Sequence, residues 1–197
     1  MEQTFQTPWC LWEHKKNTGV GDYAGSIIKI ATIYSIKDFW EHFNNYPKPS
    51  ILFYNGITKA TIYDIDISLG SDNEREISSV CLFRDGIEPK WEDPKNTKGG
   101  EIAIRKFNSF AEMDKFWTIL TTMCVGEQIS EHITGIRVVD SSVEKKKKIL
   151  HRIEIWFDDV KYRKQIQEIF CGILGIRVND GDIFFKEHST SKVTYRR

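Results

Sequence analysis

The most informative stretch of the chain reads Leu82-Phe83-Arg84-Asp85-Gly86-Ile87-Glu88-Pro89-Lys90-Trp91-Glu92-Asp93-Pro94 and continues as Lys95-Asn96-Thr97-Lys98-Gly99-Gly100. Its glycines, prolines and short polar residues are typical of turns, so the segment is predicted to be a loop. A tryptophan beside two acids in a loop is unusual, because large apolar rings are normally buried in helices or strands. Two interpretations are open: the Trp91 ring anchors the loop to the core, or it is a platform for a flat ligand with Glu92 as an acceptor.

The second interpretation predicts the chemistry of the ligand. An aromatic face attracts a cationic ring more strongly than a neutral one. One carboxylate can accept two adjacent N–H donors together. N7-methylguanine has both properties, since its ring is cationic and its Watson–Crick edge carries N1–H and N2–H₂.

The composition indicates one soluble domain. The chain has 197 residues, of which 40% are hydrophobic and 28% charged, so we expect a single domain over 1–197 with flexible ends at 1–5 and 189–197. Its 28 Lys and Arg balance 28 Asp and Glu. With no global positive field, a polyanion must be held by a local cluster. The aromatic share of 13%, with six Trp, seven Tyr and twelve Phe, is high enough to provide platforms as well as a core.

The cysteines and apolar runs predict a cytoplasmic or nuclear protein. The four cysteines are widely spread, without metal-ligand spacing, and no secretory signal precedes them, so we expect reduced thiols, no metal site and no cofactor. The longest apolar stretch, residues 166–176, is too short to span a bilayer.

Three segments are predicted to be helices. One follows Ser35 as N-cap and ends at Pro47, and a second opens with a capping box of Ser109 and Glu112 and ends at Gly126. A third begins near Asp158 and ends among the glycines at 172 and 175. Strands are predicted at residues 27–33, 61–67, 102–104, 135–139, 149–156 and 183–185. This order predicts an α+β fold: a largely antiparallel sheet with the helices on one face and the other face free to be a binding surface.

The chain resembles the eukaryotic translation initiation factor 4E family, the mRNA cap-binding proteins. The resemblance extends from about Phe5 to Lys192 in the family's order. It implies a curved, mostly antiparallel sheet with three long helices on its convex face and the cap slot on its concave face. It is carried by residues 86–93 together with the glycines at 99 and 100. It is also carried by Trp9-Cys10-Leu11-Trp12, Asp38-Phe39-Trp40, Phe116-Trp117, Val125-Gly126-Glu127, Ile153-Glu154-Ile155-Trp156 and Lys186-Glu187-His188.

The resemblance implies a set of cap-binding residues. Trp91 is similar to one of two stacking platforms, Glu92 to the acceptor for the guanine edge, and Trp156 to the tryptophan that packs on the N7-methyl group. Tyr23 falls where most members have the other stacking tryptophan, and a tyrosine there would stack more weakly. The alternative for Tyr23 is a strand-edge residue without a ligand role.

The resemblance also implies cations for the cap phosphates. Arg152 matches one basic residue of the family, whereas the second falls near Ser141, which is not basic. A longer hairpin instead carries four lysines that could replace it, Lys145, Lys146, Lys147 and Lys148. Lys192 resembles part of the loop that closes over the second nucleotide. The alternatives are a solvated lysine loop and an Arg152 paired with a neighbouring acid.

On the opposite face, the family binds the initiation scaffold, factor 4G, or binding proteins that carry a Tyr-x₄-Leu-φ helix. Ile36, Trp40 and Gly126 match that surface. Three positions depart from it, with Thr118, Ile119 and Thr122 where Leu, an acid and Leu are expected. These changes should weaken a helix-in-groove contact.

Three other functions are compatible with parts of the sequence. An enzyme is disfavoured, because the acidic pairs Asp64/Asp66 and Asp158/Asp159 are better explained as a solvated strand face and a helix start. A cap-binding translational repressor or divergent isoform that does not recruit the usual scaffold is credible from Thr118, Ile119 and Thr122. A degenerate member of the family that has lost its affinity for the cap is disfavoured, because Trp91, Glu92 and Trp156 are all present.

Overall fold

The protein folds around one antiparallel sheet of eight strands. The computed structural model describes residues 4–15, 26–53, 61–66, 71–105, 107–142, 150–177, 181 and 183–189. The strands are β1 (Thr4–Lys15), β2 (Ile27–Ser35), β3 (Thr61–Asp66), β4 (Ser71–Arg84), β5 (Gly100–Ile104), β6 (Ile133–Asp140), β7 (His151–Phe157) and β8 (Ile183–Glu187). Seven of them follow the order β2-β1-β4-β6-β7-β5-β8, and β3 pairs with the first half of β4.

The helices are α1 (Ile36–Asn45), α2 (Pro49–Phe53), α3 (Phe110–Val125) and α4 (Arg163–Leu174), the last preceded by a 3₁₀ turn, Val160–Tyr162. Ser35 caps α1 by accepting a hydrogen bond from the Asp38 backbone N–H at 3.1 Å, and Ser109 does the same for Glu112 in α3. Both predicted N-caps are confirmed. The reciprocal half of the capping box is wrong, because the Glu112 carboxylate accepts from the backbone N–H of Asn108 instead of Ser109.

Alternation along the strands separates two faces of the sheet. One face, here called the helix face, is covered by the helices. Its fully buried side chains include Trp9, Leu82, Ile102 and Ile155, which join Phe39, Met113, Phe116 and Phe170 of the helices in one core. The other face, here called the open face, carries the alternate residues of the same strands. The predicted α+β fold, with three long helices on one face of an antiparallel sheet, is confirmed.

Two strands and one helix were missed. The first strand, β1, has no clean alternation in sequence because Trp9-Cys10-Leu11-Trp12 is apolar throughout, and both faces of it are in fact covered. The long strand β4 opens with polar residues 71–76, which do not predict a strand. The five-residue helix α2 begins at Pro49, where a proline is tolerated in a first helical turn.

Residues Thr4 and Phe5 belong to β1, and the flexibility of the chain ends stays a prediction. Among the described residues, no helix is both long and apolar enough to cross a membrane.

Candidate functional site

Residues 85–99, here called the tryptophan loop, connect β4 to β5 and are held by their own polar side chains. The Asn96 side chain is fully buried and donates to the carbonyl oxygens of Glu88 and Lys90 at 3.0 and 2.8 Å. The Asp93 carboxylate accepts from the backbone N–H groups of Glu88 and Lys95, both at 2.9 Å. These bonds fold the loop into a fixed frame around Trp91.

The end of the loop depends on a glycine. A Cβ at Gly99 would lie 1.6 Å from the carbonyl oxygen of Phe157, so only glycine allows the chain to pass this close to the end of β7. The carbonyl of Gly99 also accepts from the backbone N–H of His188 at 3.1 Å. The loop is thereby attached to both β7 and the end of β8.

Trp91 and Trp156 lie in one aromatic cluster on the open face. The buried members are Cys81, Phe83, Ile87 and Trp156, and the partly buried rings of Trp12 and Trp91 pack against them. Glu92, next to Trp91, is exposed. The cluster draws on three strands, with Trp12 on β1, Cys81 and Phe83 on the adjacent β4, and Trp156 on β7, which β6 separates from β4.

The Trp156 ring is held from three sides. It is only 3% exposed and meets the Phe83 ring edge-on, with 5.4 Å between ring centroids. Its Nε1–H donates to Glu154 Oε2 at 2.9 Å, and the His188 ring lies over it at 4.4 Å. A ring so covered can present only an edge to a ligand, which suits contact with a methyl group better than stacking.

Arg152 is paired and not free. Its Nε donates to Glu154 Oε1, and its Nη1 donates to the Ser141 hydroxyl at 3.2 Å. Glu154 is fully buried and bonds both Arg152 and Trp156. The prediction that residues 152, 154 and 156 share one face is therefore confirmed. The structure also gives Ser141 a role at the position where a second cation was expected, since it helps to orient Arg152.

A carboxylate–histidine pair lies beside Trp156. Glu101, which pairs with Trp156 across the β5–β7 ladder, faces His188 with 3.6 Å between Oε2 and Nε2. Burial opposes ionisation of Glu101, but hydrogen bonding to His188 and the charges of Lys186 and Arg152 outweigh it and lower the pKa of its carboxyl. The other ring nitrogen of His188 is 2.9 Å from the Asn96 carbonyl oxygen, which connects this pair to the tryptophan loop.

A third polar group lies further along the open face. The Arg137 guanidinium donates to the Ser79 hydroxyl at 3.1 Å and lies 3.1 Å from His14 Nδ1. Burial, assisted by the charge of Arg137, lowers the pKa of His14 to about 4. His14 is consequently neutral at physiological pH.

The structure brings Trp91, Glu92 and Trp156 together on the open face, and Arg152 lies four residues along β7 from Trp156, linked to it through Glu154. Ile36 and Trp40 lie on α1, both 39% exposed, and Gly126 caps the end of α3. Six predicted residues lie outside the described residues: Tyr23, Lys145, Lys146, Lys147, Lys148 and Lys192.

Sequence reasoning missed the polar supports of the site. Glu101 and His188 are far apart in the chain and meet only because β5 pairs with β8, which no local pattern predicts. For Glu154, the signal was present: an acid between Arg152 and Trp156 on an alternating strand has both within reach. In the described part of the chain, no group of three or more metal-ligating side chains is close enough to hold a metal ion.

Comparison with known proteins gives one family. The family model described as eukaryotic initiation factor 4E matches residues 4–196. The chain is 27% identical over 175 residues to the eukaryotic translation initiation factor 4E of Xenopus laevis, which covers 86% of this chain and 68% of the relative. The human factor of the same name is 25% identical over 171 residues, covering 86% of this chain and 67% of the relative.

Solved structures share the fold. A Caenorhabditis elegans eIF4E-3 in complex with the 4E-binding protein Mextli and a cap analog superimposes with a TM-score of 0.71 at 21% identity, covering 97% of this chain and 95% of that one. An Ascaris suum eIF4E-3 with the m7G cap gives a TM-score of 0.70 at 23% identity, covering 100% and 97%.

Proposed function

The chain belongs to the eukaryotic initiation factor 4E family, and on this basis we propose that it binds the 7-methylguanosine 5′ cap of mRNA in translation initiation. The observation that carries the proposal is the cluster that gathers Trp91 and Trp156 on the open face, with an exposed Glu92 beside Trp91. The structures named above contain cap ligands bound to proteins of the same fold.

Recognition of the base is divided among four residues. Trp91 stacks on the methylated guanine, and Tyr23 supplies the opposing ring. Glu92 accepts the N1–H and N2–H₂ donors of the guanine edge, a charge-assisted pair of hydrogen bonds. The edge of Trp156 contacts the N7-methyl group. Methylation makes the base cationic, so the aromatic slot prefers it to unmodified guanine.

The phosphates extend toward Arg152. Glu154 neutralises much of the charge of Arg152 in the unbound protein. Arg152 alone therefore binds a triphosphate weakly. We assign the remaining positive charge to Lys145, Lys146, Lys147 and Lys148 of the β6–β7 hairpin, and a contact with the second nucleotide to Lys192.

A protein partner occupies the helix face. Ile36, Trp40 and Gly126 form its contact surface, and the partner carries an amphipathic helix of the Tyr-x₄-Leu-φ type, from the scaffold factor 4G or from a 4E-binding protein. The Caenorhabditis elegans neighbour was solved in complex with the 4E-binding protein Mextli. Helix α3 presents half-buried Thr118, Ile119 and Thr122, which predicts a weaker groove than one lined by leucines.

The protein acts as a binding module and not as an enzyme, and it acts in the cytoplasm, where mRNA is translated. The curated relatives named above are initiation factors, which favours this function over a cap-binding repressor.

The test is a fluorescence titration of the full chain with 7-methyl-GTP and with GTP. We expect a clear preference for the methylated nucleotide. Trp91→Ala removes one stacking surface and should weaken 7-methyl-GTP binding by about 1–3 kcal/mol. Glu92→Ala leaves two guanine donors unpaired and should cost about 1–3 kcal/mol.

Matched controls are on the other face. Trp40→Ala also removes an exposed tryptophan, and Glu168→Ala removes an exposed acid of α4, and neither should change the affinity for 7-methyl-GTP. Equal affinity of the wild-type chain for 7-methyl-GTP and GTP would overturn the proposed function.

A further inference from the structure

An exposed aromatic ring lies on the open face two strands across from Glu154. Phe184, on the edge strand β8, is 39% exposed, although its neighbours in the strand are packed or charged. The guanidinium carbon of Arg105 lies 4.0 Å from the centroid of the Phe184 ring. These two residues are called the Phe184–Arg105 pair below.

The pairing of the strands places this pair on the same face as the tryptophan cluster. Trp156 on β7 pairs with Glu101 on β5, and Glu101 pairs with Lys186 on β8. One step of two residues along each strand, Glu154 pairs with Ala103, and Ala103 pairs with Phe184. Side chains two residues apart point to the same face, so Phe184 shares the open face with Trp156.

Arg105 lies at the same end of that face as Arg152. It follows Ile104, the last residue of β5, which pairs with Ile153 of β7. The next position along this register places Arg105 opposite Arg152. Because strands are spaced by about 4.8 Å, Phe184 lies roughly 10 Å across the sheet from β7. Ala103 lies between them with its methyl group 2% exposed, so the larger side chains around it close over this position.

The two arginines differ in their electrostatic state. Arg152 is bonded to the buried carboxylate of Glu154. Within the described part of the chain, Arg105 has no carboxylate partner, is exposed and is held only against the Phe184 ring. Lys186 adds a second exposed cation to the same face of β8. An exposed aromatic ring with cations beside it, on a sheet, is the combination that binds single-stranded nucleic acid, since bases stack on the ring while cations contact the phosphates.

We propose that the Phe184–Arg105 pair binds the RNA that follows the cap, with Phe184 stacking on a base among the first transcribed nucleotides and Arg105 contacting the adjoining phosphate. The inference rests on the proposed function, because it continues the path of a chain that leaves the cap slot at Arg152. It makes the open face a binding surface for RNA as well as for its methylated end.

The experiment compares 7-methyl-GTP with a 5′-capped hexauridine, each titrated against the full chain. Wild-type protein should bind the capped hexauridine about 10-fold or more tightly than 7-methyl-GTP. Phe184→Ala and Arg105→Ala should each lower the affinity for the capped hexauridine by roughly 5-fold to 100-fold, the range of one lost base stack. Neither should change the affinity for 7-methyl-GTP. Phe184→Tyr keeps a ring and should restore binding. Arg105→Ala should also flatten the dependence of hexauridine affinity on salt.

The chain offers a matched control. Arg163 stacks on Phe185 with the same 4.0 Å separation, but on the helix face of β8. Arg163→Ala therefore removes an equivalent arginine and should leave both ligands unaffected.

The outcomes separate the two proposals. Suppose that the wild-type chain prefers 7-methyl-GTP to GTP, but Phe184→Ala binds the capped hexauridine as tightly as wild type does. The assignment of RNA binding to the Phe184–Arg105 pair is then wrong, while the proposed cap-binding function stands. If Arg163→Ala loses as much affinity as Arg105→Ala, the effect is general electrostatics and the assignment is overturned. If the wild-type protein binds 7-methyl-GTP and GTP with equal affinity, the proposed function is overturned, and the RNA-binding inference that rests on it is overturned as well.

Discussion

His14 connects the open face to the pH dependence of folding. In the folded chain, burial and the neighbouring Arg137 lower the pKa of His14 to about 4, whereas an unfolded chain gives histidine a pKa of about 6.5. Between these two values the unfolded state binds a proton that the folded state does not. Stability contributed by a neutral His14 is therefore complete above about pH 6.5 and is lost as the pH falls toward 4.

We predict that the free energy of unfolding falls between pH 7 and pH 5, with His14 accounting for about 2 kcal/mol of the loss. His14→Gln cannot take up this proton, so its unfolding free energy should change less over the same interval. Urea titrations at the two pH values measure the difference within each variant. An identical loss in wild type and His14→Gln would contradict the assignment.

At the scale of elements, the contact between β4 and β6 sets the position of the aromatic cluster. Gly135 on β6 pairs with Phe83 on β4, and a Cβ at Gly135 would lie 2.4 Å from Phe83 Cγ. Phe83 is fully buried and touches Trp156 edge-on. A methyl group at Gly135 must therefore displace Phe83, and with it Trp156.

We expect Gly135→Ala to lower the free energy of unfolding by about 1–3 kcal/mol, the usual cost of overpacking. It should also weaken 7-methyl-GTP binding through the shift of Trp156. Gly172 of α4 is the matched control, because a Cβ there meets nothing within 4 Å. Gly172→Ala should stabilise the chain by up to about 1 kcal/mol and leave binding unchanged. If Gly135→Ala melts and binds as wild type does, Phe83 does not hold the cluster.

The elements that sequence could predict are those with a local signal. The helices α1 and α3 were predicted because Ser35 and Ser109 are N-caps followed by apolar residues at helical spacing. The strand β1 was missed because both of its faces are covered, which removes the alternation on which strand prediction depends.

The site was predicted only as far as the chain order allowed. The turn-rich composition of residues 82–100 predicted a loop, which is correct for residues 85–99, but residues 82–84 end β4 and Gly100 begins β5. The two-residue spacing of Arg152, Glu154 and Trp156 predicted a shared face. The Glu101–His188 pair and the Phe184–Arg105 pair depend on which strands are neighbours in the sheet, and β5 lies beside β8 although almost eighty residues separate them. That neighbourhood is a property of the whole topology, so a sequence pattern does not reveal it.

At the scale of the whole molecule, the sheet separates two surfaces with different ligands. Trp91 and Trp156 belong to the open face, whereas Trp40 lies on α1, where its ring meets Phe39 edge-on at 5.1 Å and remains 39% exposed. Phe39, Phe43 and Trp117 line one apolar pocket between α1, α3 and the sheet, and α1 also carries Trp40.

The last prediction is that the two surfaces bind independently. Trp40→Ala removes an exposed aromatic side chain from the proposed partner surface. It should lower the affinity for a peptide of the Tyr-x₄-Leu-φ type by about 10-fold or more, while the affinity for 7-methyl-GTP stays within about twofold of wild type. Trp91→Ala should do the reverse. Both ligands can be measured on each variant, by peptide anisotropy and by nucleotide titration, with unfolding curves to show that the fold is intact. Because the rings of Trp40 and Trp91 lie on opposite sides of a packed sheet, truncating one leaves the contacts of the other in place. A variant could keep a wild-type unfolding curve and yet lose affinity for both ligands to the same degree. That result would show that the two binding surfaces are coupled through the sheet and do not bind independently.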